Sequence, residues 1–325
     1  MTAPSMDSTS EDHELDFQIF DYLRVYKSGR VERLRGTETA PAGEDSATGV
    51  SSKDIIIDVE TNVSARIYFP KLFSNKPEKL PVLVYFHGGG FCIQTAYSPI
   101  YHSYLNLLSS EAKMIIVSIE YRLAPEFPLP AAYDDCWKAL QWVVYQLDGG
   151  SAVPEPWLVN FGDSSRLFLA GDSAGANIAH HMAMRAGAEG SEGVKIKGMV
   201  LMHPYFWGSK MEEEEVGDEL RKRLDELWML VCPASAGVDD PMINPLAETA
   251  PDLGRMACEK IMVCVAEKDL LSVRGMAYYE KLKEKWVDGV ELVVSHGMDH
   301  VFHLDEPGCD QAAVLTNKVV AFLSS

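Results

Sequence analysis

The chain has 325 residues, 47% hydrophobic and 24% charged, which suits one large α/β domain with a cap, or two medium domains, with a core that needs no disulfide or metal staple. A net charge of −19 sets its surface against nucleic acid and anionic membranes and disfavours anionic substrates at long range. The six cysteines (Cys92, Cys136, Cys232, Cys258, Cys264 and Cys309) form no C-x-x-C pair and no zinc spacing, so small buried thiols in a reducing compartment are expected, with no metal site.

Residues 1–15 read as a polar, acidic arm, without the basic start and apolar stretch of a secretory signal. No apolar run reaches the length of a membrane span, and a cytoplasmic protein is expected. Phe17 to Val25 have helix-like apolar spacing, and the alternation around Ser28-Gly29 predicts a β-hairpin over Arg24 to Leu34. Residues 37–49 are a loop, and Asp54 to Val59 and Ser64 to Phe69 alternate like two antiparallel strands.

Beyond this the pattern changes. Leu80 to Phe86, Met114 to Ile119, Leu167 to Ala170, Gly198 to Met202 and Ile261 to Ala266 are nearly continuous apolar runs, as strands buried on both faces require. Helix-like segments lie between or after them at Tyr101–Ala112, Ala131–Leu147, Ala176–Ala186, Val273–Lys285 and Gln311–Leu323. The alternation predicts an α/β fold with a mostly parallel central sheet flanked by helices. Residues 205–233 break the rhythm, with an acid run at Glu212–Glu215 before the apolar Leu227–Cys232. Together with about residues 1–35 they are expected to form a helical cap over the site.

The chemistry is carried by Gly171-Asp172-Ser173-Ala174-Gly175, entered by an apolar strand and left by a helix. This fits the G-x-S-x-G elbow that lifts a serine hydroxyl above a sheet. His87-Gly88-Gly89-Gly90-Phe91 follows another strand, and glycines there let backbone N–H groups converge on a developing oxyanion. No Lys-Ser/Thr follows these glycines, which excludes a P-loop. Gly88 and Gly89, joined by Ala174, are the expected donors. Asp269 closes the strand Ile261–Ala266 at its C-terminal end, with Glu267 as the competing acid. His300 follows the strand Leu292–Ser295 and the Gly297 turn, with His296 and His303 as alternatives. The order Ser173, Asp269, His300 is that of α/β-hydrolase triads.

With Tyr121-Arg-Leu-Ala-Pro-Glu126, Gly171 to Asn177 and His300-Val-Phe-His303 added, the chain resembles the plant carboxylesterases of the hormone-sensitive-lipase group. Val50–Asp54 and Ser64–Tyr68 resemble the branch with 2-hydroxyisoflavanone dehydratases and esterase-derived alkaloid cyclases. The resemblance implies an α/β-hydrolase core, a helical cap, chemistry without a cofactor, and Ser173, Asp269 and His300 as the triad. It implies hydrolysis of a small-molecule ester, or else elimination or cyclisation of a specialised metabolite on the same scaffold. Dehydratase members can carry threonine at the nucleophile position and receptor members lose the catalytic histidine; this chain has Ser173 and His300 there. The substrate and the oligomeric state are not legible in the sequence.

Overall fold

The computed structural model describes residues 13–72, 79–190, 194–209, 217–286 and 288–325. An eight-stranded sheet runs β11-β10-β9-β8-β6-β7-β5-β4. Its strands are β4 (Ser51–Asp58), β5 (Val63–Phe69), β6 (Leu80–Phe86), β7 (Ile115–Glu120), β8 (Gly162–Asp172), β9 (Gly198–Met202), β10 (Ile261–Ala266) and β11 (Val290–Ser295). β6 to β11 are parallel, and β4 and β5 close one side antiparallel. Every residue of β6, β9 and β10 is buried. That is why these segments read as unbroken apolar runs, whereas two-faced β4 alternates.

The helices are α1 (Pro99–Ala112), α2 (Ala131–Leu147), α3 (Pro156–Phe161), α4 (Ala174–Glu189), α5 (Asp218–Val231), α6 (Ser272–Lys283), α7 (Phe302–Asp305) and α8 (Asp310–Ser324). They divide the core in two, one layer on each sheet face. Val82, Val84 and Phe86 join the α2 and α4 side, and Leu83 and Tyr85 join the α1 and α8 side. β10 and β11 pair from Ile261↔Val290 to Ala266↔Ser295, so their C-terminal loops leave the sheet at one level.

The N-terminal region corrects one expectation. Phe17 to Val25 is not helical: β1 (Leu15–Ile19), β2 (Leu23–Tyr26) and β3 (Val31–Arg33) form a separate antiparallel sheet. The turn between β1 and β2 has Phe20 at φ 47° and no glycine or proline, so Asp21 is its one turn-type residue. This sheet packs beside α5. Residues 1–12 of the arm expected over 1–15, and the Glu212–Glu215 run, lie outside the described residues; Leu15 already belongs to β1.

Arg33 fastens the small sheet to the core. Its guanidinium donates to the Cys92 carbonyl at 2.8 Å, to the Ala124 carbonyl at 3.1 Å, and to both carboxylate oxygens of Glu126 at 2.7 Å. Tyr205, Phe206 and Trp207 are core residues. Trp207 Nε1 donates to Asp225 at 2.7 Å and so ties α5 down. All six cysteines are free thiols, four of them buried.

Candidate active site

Ser173 sits between β8 and α4 with φ 52° and ψ −118°. Such a backbone costs a non-glycine residue about 1–3 kcal/mol, so the surroundings must enforce it. The Ser173 amide donates to the Met202 carbonyl at 2.9 Å, and the Ser173 carbonyl accepts from Tyr205 at 3.0 Å and Asn177 at 3.1 Å. The flanking glycines follow from close approach. A Cβ on Gly175 would lie 1.9 Å from the Phe86 carbonyl oxygen, and one on Gly171 would lie 2.3 Å from the Gly175 carbonyl carbon. The hydroxyl is thereby presented above the C-terminal end of the sheet.

The structure brings Ser173, His300 and Asp269 together. Ser173 Oγ is 3.0 Å from His300 Nε2, and His300 Nδ1 is 2.8 Å from Asp269 Oδ2. Asp269 Oδ1 accepts from the Leu271 amide at 2.9 Å, which fixes the carboxylate plane. Since a carboxylate only accepts, the proton lies on Nδ1 and Nε2 faces the serine as a base. Burial pushes the Asp269 carboxyl up, but the facing His300 outweighs it and holds it below its ordinary range. Burial likewise pushes His300 down, but the Asp269 carboxylate prevails and leaves it above its ordinary value.

The rival residues fall elsewhere. Glu267 is exposed and accepts from the Gly297 amide at 2.6 Å, clipping the histidine loop to the acid loop. His296 is exposed beside Glu267 at 3.8 Å. His303 is buried in the core, edge-on to Tyr104 with ring centroids 5.1 Å apart. Sequence reasoning missed His203, whose ring lies 5.9 Å from that of His300 and whose Nδ1 accepts from the Val301 amide at 3.0 Å. Burial holds it well below its ordinary value, hence neutral. Its place just past the end of β9 was the available signal. Among the described residues, His203, Asp269 and His300 bring ligand-type atoms within 4.8 Å of one another, but the His300 nitrogens are committed to Ser173 and Asp269.

One expected oxyanion donor is corrected. The Gly88 amide donates to Tyr101 Oη at 2.8 Å, so it points away from the serine into the protein. Among the described residues, the amides of Gly89, Gly90 and Ala174 have no protein acceptor. The amides available to an oxyanion are thus those of Gly89, Gly90 and Ala174. Gly89 and Gly90 adopt φ 100° and 58°, and a Cβ on Gly89 would lie 2.2 Å from the Ile93 carbonyl oxygen.

A cavity of about 680 Å³ opens over Ser173 and His300, with Tyr22, Ile93, Ile100 and Phe302 in its walls. Its mouth carries both signs of charge, Arg35 and Lys268 against Asp299, Asp305 and Glu306. Phe91 is in the core. The space beside Gly90 is bounded by Leu227 of α5 and by Tyr22.

A strained serine elbow beside free amides, on a sheet of this order, defines an α/β hydrolase, and the chain belongs to that family: the alpha/beta hydrolase fold family model matches residues 83–304. Within it, probable carboxylesterase 2 of Arabidopsis thaliana is 47% identical over 322 residues, covering 98% of this chain and 99% of its own. Tuliposide A-converting enzyme 1, chloroplastic, of Tulipa gesneriana is 47% identical, covering 97% and 80%. 2-Hydroxyisoflavanone dehydratase of Glycyrrhiza echinata is 45% identical, covering 98% and 99%. Among solved structures, the hyperthermophilic esterase of the archaeon Pyrobaculum calidifontis superposes with a TM-score of 0.67 at 27% identity, covering 84% of this chain and 85% of that one.

Proposed function

We propose that this chain is a serine carboxylesterase that hydrolyses small to medium apolar carboxylic esters through an acyl-enzyme on Ser173. The observation that carries the reading is the continuous hydrogen-bonded line from Asp269 through His300 to Ser173 Oγ. His300 Nε2 takes the hydroxyl proton as Oγ bonds to the ester carbon, and the carbonyl electrons move onto an oxyanion facing the Gly89, Gly90 and Ala174 amides. Each such donor contributes roughly 3–4 kcal/mol to the barrier reduction. Collapse expels the alcohol with the proton from His300, and water repeats the cycle to release the acid. The carboxylesterase and esterase relatives support the same reaction. A series of p-nitrophenyl esters of increasing acyl length tests it. Turnover that is best for short to medium chains supports the reading. No turnover of any ester would favour elimination, the reaction named for the dehydratase relative.

The acid limb of kcat/KM follows from the site. Only neutral His300 accepts the serine proton, and Asp269 holds its pKa above the ordinary value of about 6.5. Activity therefore climbs with pH through a midpoint above that value. A pH–rate profile on p-nitrophenyl acetate with its midpoint well below 6.5 would contradict the arrangement.

The cap is proposed as the selector for substrate bulk, since Tyr22 and Leu227 flank Gly90 from its two pieces. Deleting residues 1–12 is expected to change little. Deletion through Lys27 removes β1, β2 and Tyr22, and is expected to increase binding of an apolar dye and to reduce kcat/KM several-fold on bulky esters. Unchanged kinetics on a bulky ester after the longer deletion would argue against this role. The proposed substrate is a small molecule, with no nucleic acid or membrane partner. No helix among the described residues is long and apolar enough to cross a membrane. The free thiols support a reducing compartment, and the cytoplasm is proposed. Fractionation into plastids, the location in the tulip relative's name, is the result that would exclude it.

A further inference from the structure

The residue between Gly171 and Ser173 is a carboxylate with no part in the proton transfers above. Asp172 is 1% exposed and lies beneath the glycine loop, so close that a Cβ on Gly88 would be 2.3 Å from its Oδ2. Both its oxygens accept hydrogen bonds, Oδ1 from Tyr85 Oη at 2.8 Å and Oδ2 from Tyr101 Oη at 2.9 Å. The Tyr101 oxygen in turn accepts the Gly88 amide at 2.8 Å. Burial pushes the Asp172 carboxyl up to about 6, against the two tyrosine hydrogen bonds that favour its charged form.

The next peptide is held from the other side. The Gly88 carbonyl accepts from His87 Nδ1 at 2.8 Å. Tyr121 donates to the His87 carbonyl at 2.7 Å and stacks on the His87 ring at 4.2 Å. In a trans peptide the C=O and N–H point in opposite directions. Fixing the Gly88 carbonyl therefore fixes where the Gly89 N–H aims. A glycine run has no side chains to hold its own peptide planes and wide backbone freedom, so these outside partners decide the orientation.

Resting on the hydrolase reading, we propose that Asp172 and Tyr101 are positioning residues for the reaction. The Asp172–Tyr101–Gly88 chain locks the first peptide of the loop, and with His87 and Tyr121 it aims the Gly89 amide at the oxyanion. The carboxylate end gives the chain its direction. Accepting from Tyr101, it leaves the tyrosine oxygen free to take the Gly88 proton, and charged acceptors form the stronger hydrogen bonds.

The decisive variant is Tyr101→Phe, which keeps the ring and removes only the oxygen. On p-nitrophenyl butyrate, kcat is expected to fall about 10-fold or more with KM changed less than about twofold, since the lost alignment acts mainly in the transition state. An alkyl trifluoromethyl ketone, which adds Ser173 Oγ and places an anionic oxygen in the same position, is expected to lose affinity in proportion to kcat. Affinity for the matched methyl ketone is expected to hold. Asp172→Asn is the second variant, in case the first does not fold. It is expected to show the same split with a smaller fall, since the amide keeps the shape and loses the charge. A merely structural role would lower the melting temperature without separating kcat from KM or one ketone from the other. A folded Tyr101→Phe enzyme with full kcat and full trifluoromethyl ketone affinity overturns the proposal and leaves the hydrolase reading intact. A wild-type enzyme that turns over no ester and takes up no trifluoromethyl ketone overturns both.

Discussion

Ser173→Ala is expected to lower ester turnover by about 10⁴–10⁶-fold, the scale of losing a triad nucleophile, without disturbing the fold. The hydroxyl makes one hydrogen bond, to His300, and the site opens to a cavity, so removing it leaves no buried group stranded apart from a histidine that water can reach. Alanine does not relieve the strained backbone at φ 52°, because a Cβ remains. Glycine does, so Ser173→Gly is expected to be equally inactive yet more stable by about 1 kcal/mol. A fluorophosphonate probe reads the chemistry independently of substrate: it is expected to label wild type and neither variant. Labelling of Ser173→Ala at the wild-type rate would place the nucleophile elsewhere.

His300→Ala should be comparably inactive, and Asp269→Asn should cost up to about 10⁴-fold, the scale seen when a triad imidazole loses the acid that fixes its tautomer. The asparagine also removes the charge that holds His300 up, so the residual activity is expected to show its acid limb at lower pH than wild type. This shift separates Asp269 from Glu267, whose carboxylate clips Gly297; Glu267→Gln keeps an acceptor and should be mild. The histidines separate in the same way. His296→Ala changes an exposed side chain and should retain activity. His303→Ala opens a hole in the core that His303 fills beside Tyr104, at a cost of about 2–4 kcal/mol in stability, while each folded molecule still turns over. A dead His303→Ala with an active His300→Ala, both folded, would move the base along the loop.

Much of this arrangement was legible because the chemistry constrains short stretches of chain. The elbow needs glycines where Phe86 and Gly175 crowd it, and the acid and base follow strand ends that read as apolar runs. What could not be read depends on partners distant in sequence. Three consecutive glycines look alike on paper; Tyr101, thirteen residues on, turns the Gly88 amide away from the serine. His203 owes its setting to Val301 and Phe302, at the start of α7 nearly a hundred residues later. Phe17 to Val25 reads as a helix because its apolar residues pack at irregular depth and its turn, Phe20-Asp21-Tyr22, has neither glycine nor proline.

The pairing of Ala266 with Ser295 has a further consequence. β11 is the outermost strand on its side of the sheet, and Asp269 and His300 lie in the loops that follow β10 and β11 respectively. A slip of one residue between them would carry His300 about 3.3 Å along the strand axis, beyond hydrogen-bond reach of Asp269, while almost all of the secondary structure survived. During refolding, recovery of the far-ultraviolet circular dichroism signal should therefore run ahead of recovery of turnover. Catalysis reports the docking of one marginal strand that bulk spectroscopy scarcely weighs, which makes specific activity the stricter assay of whether a preparation, or a variant altered far from the serine, has reached its native state.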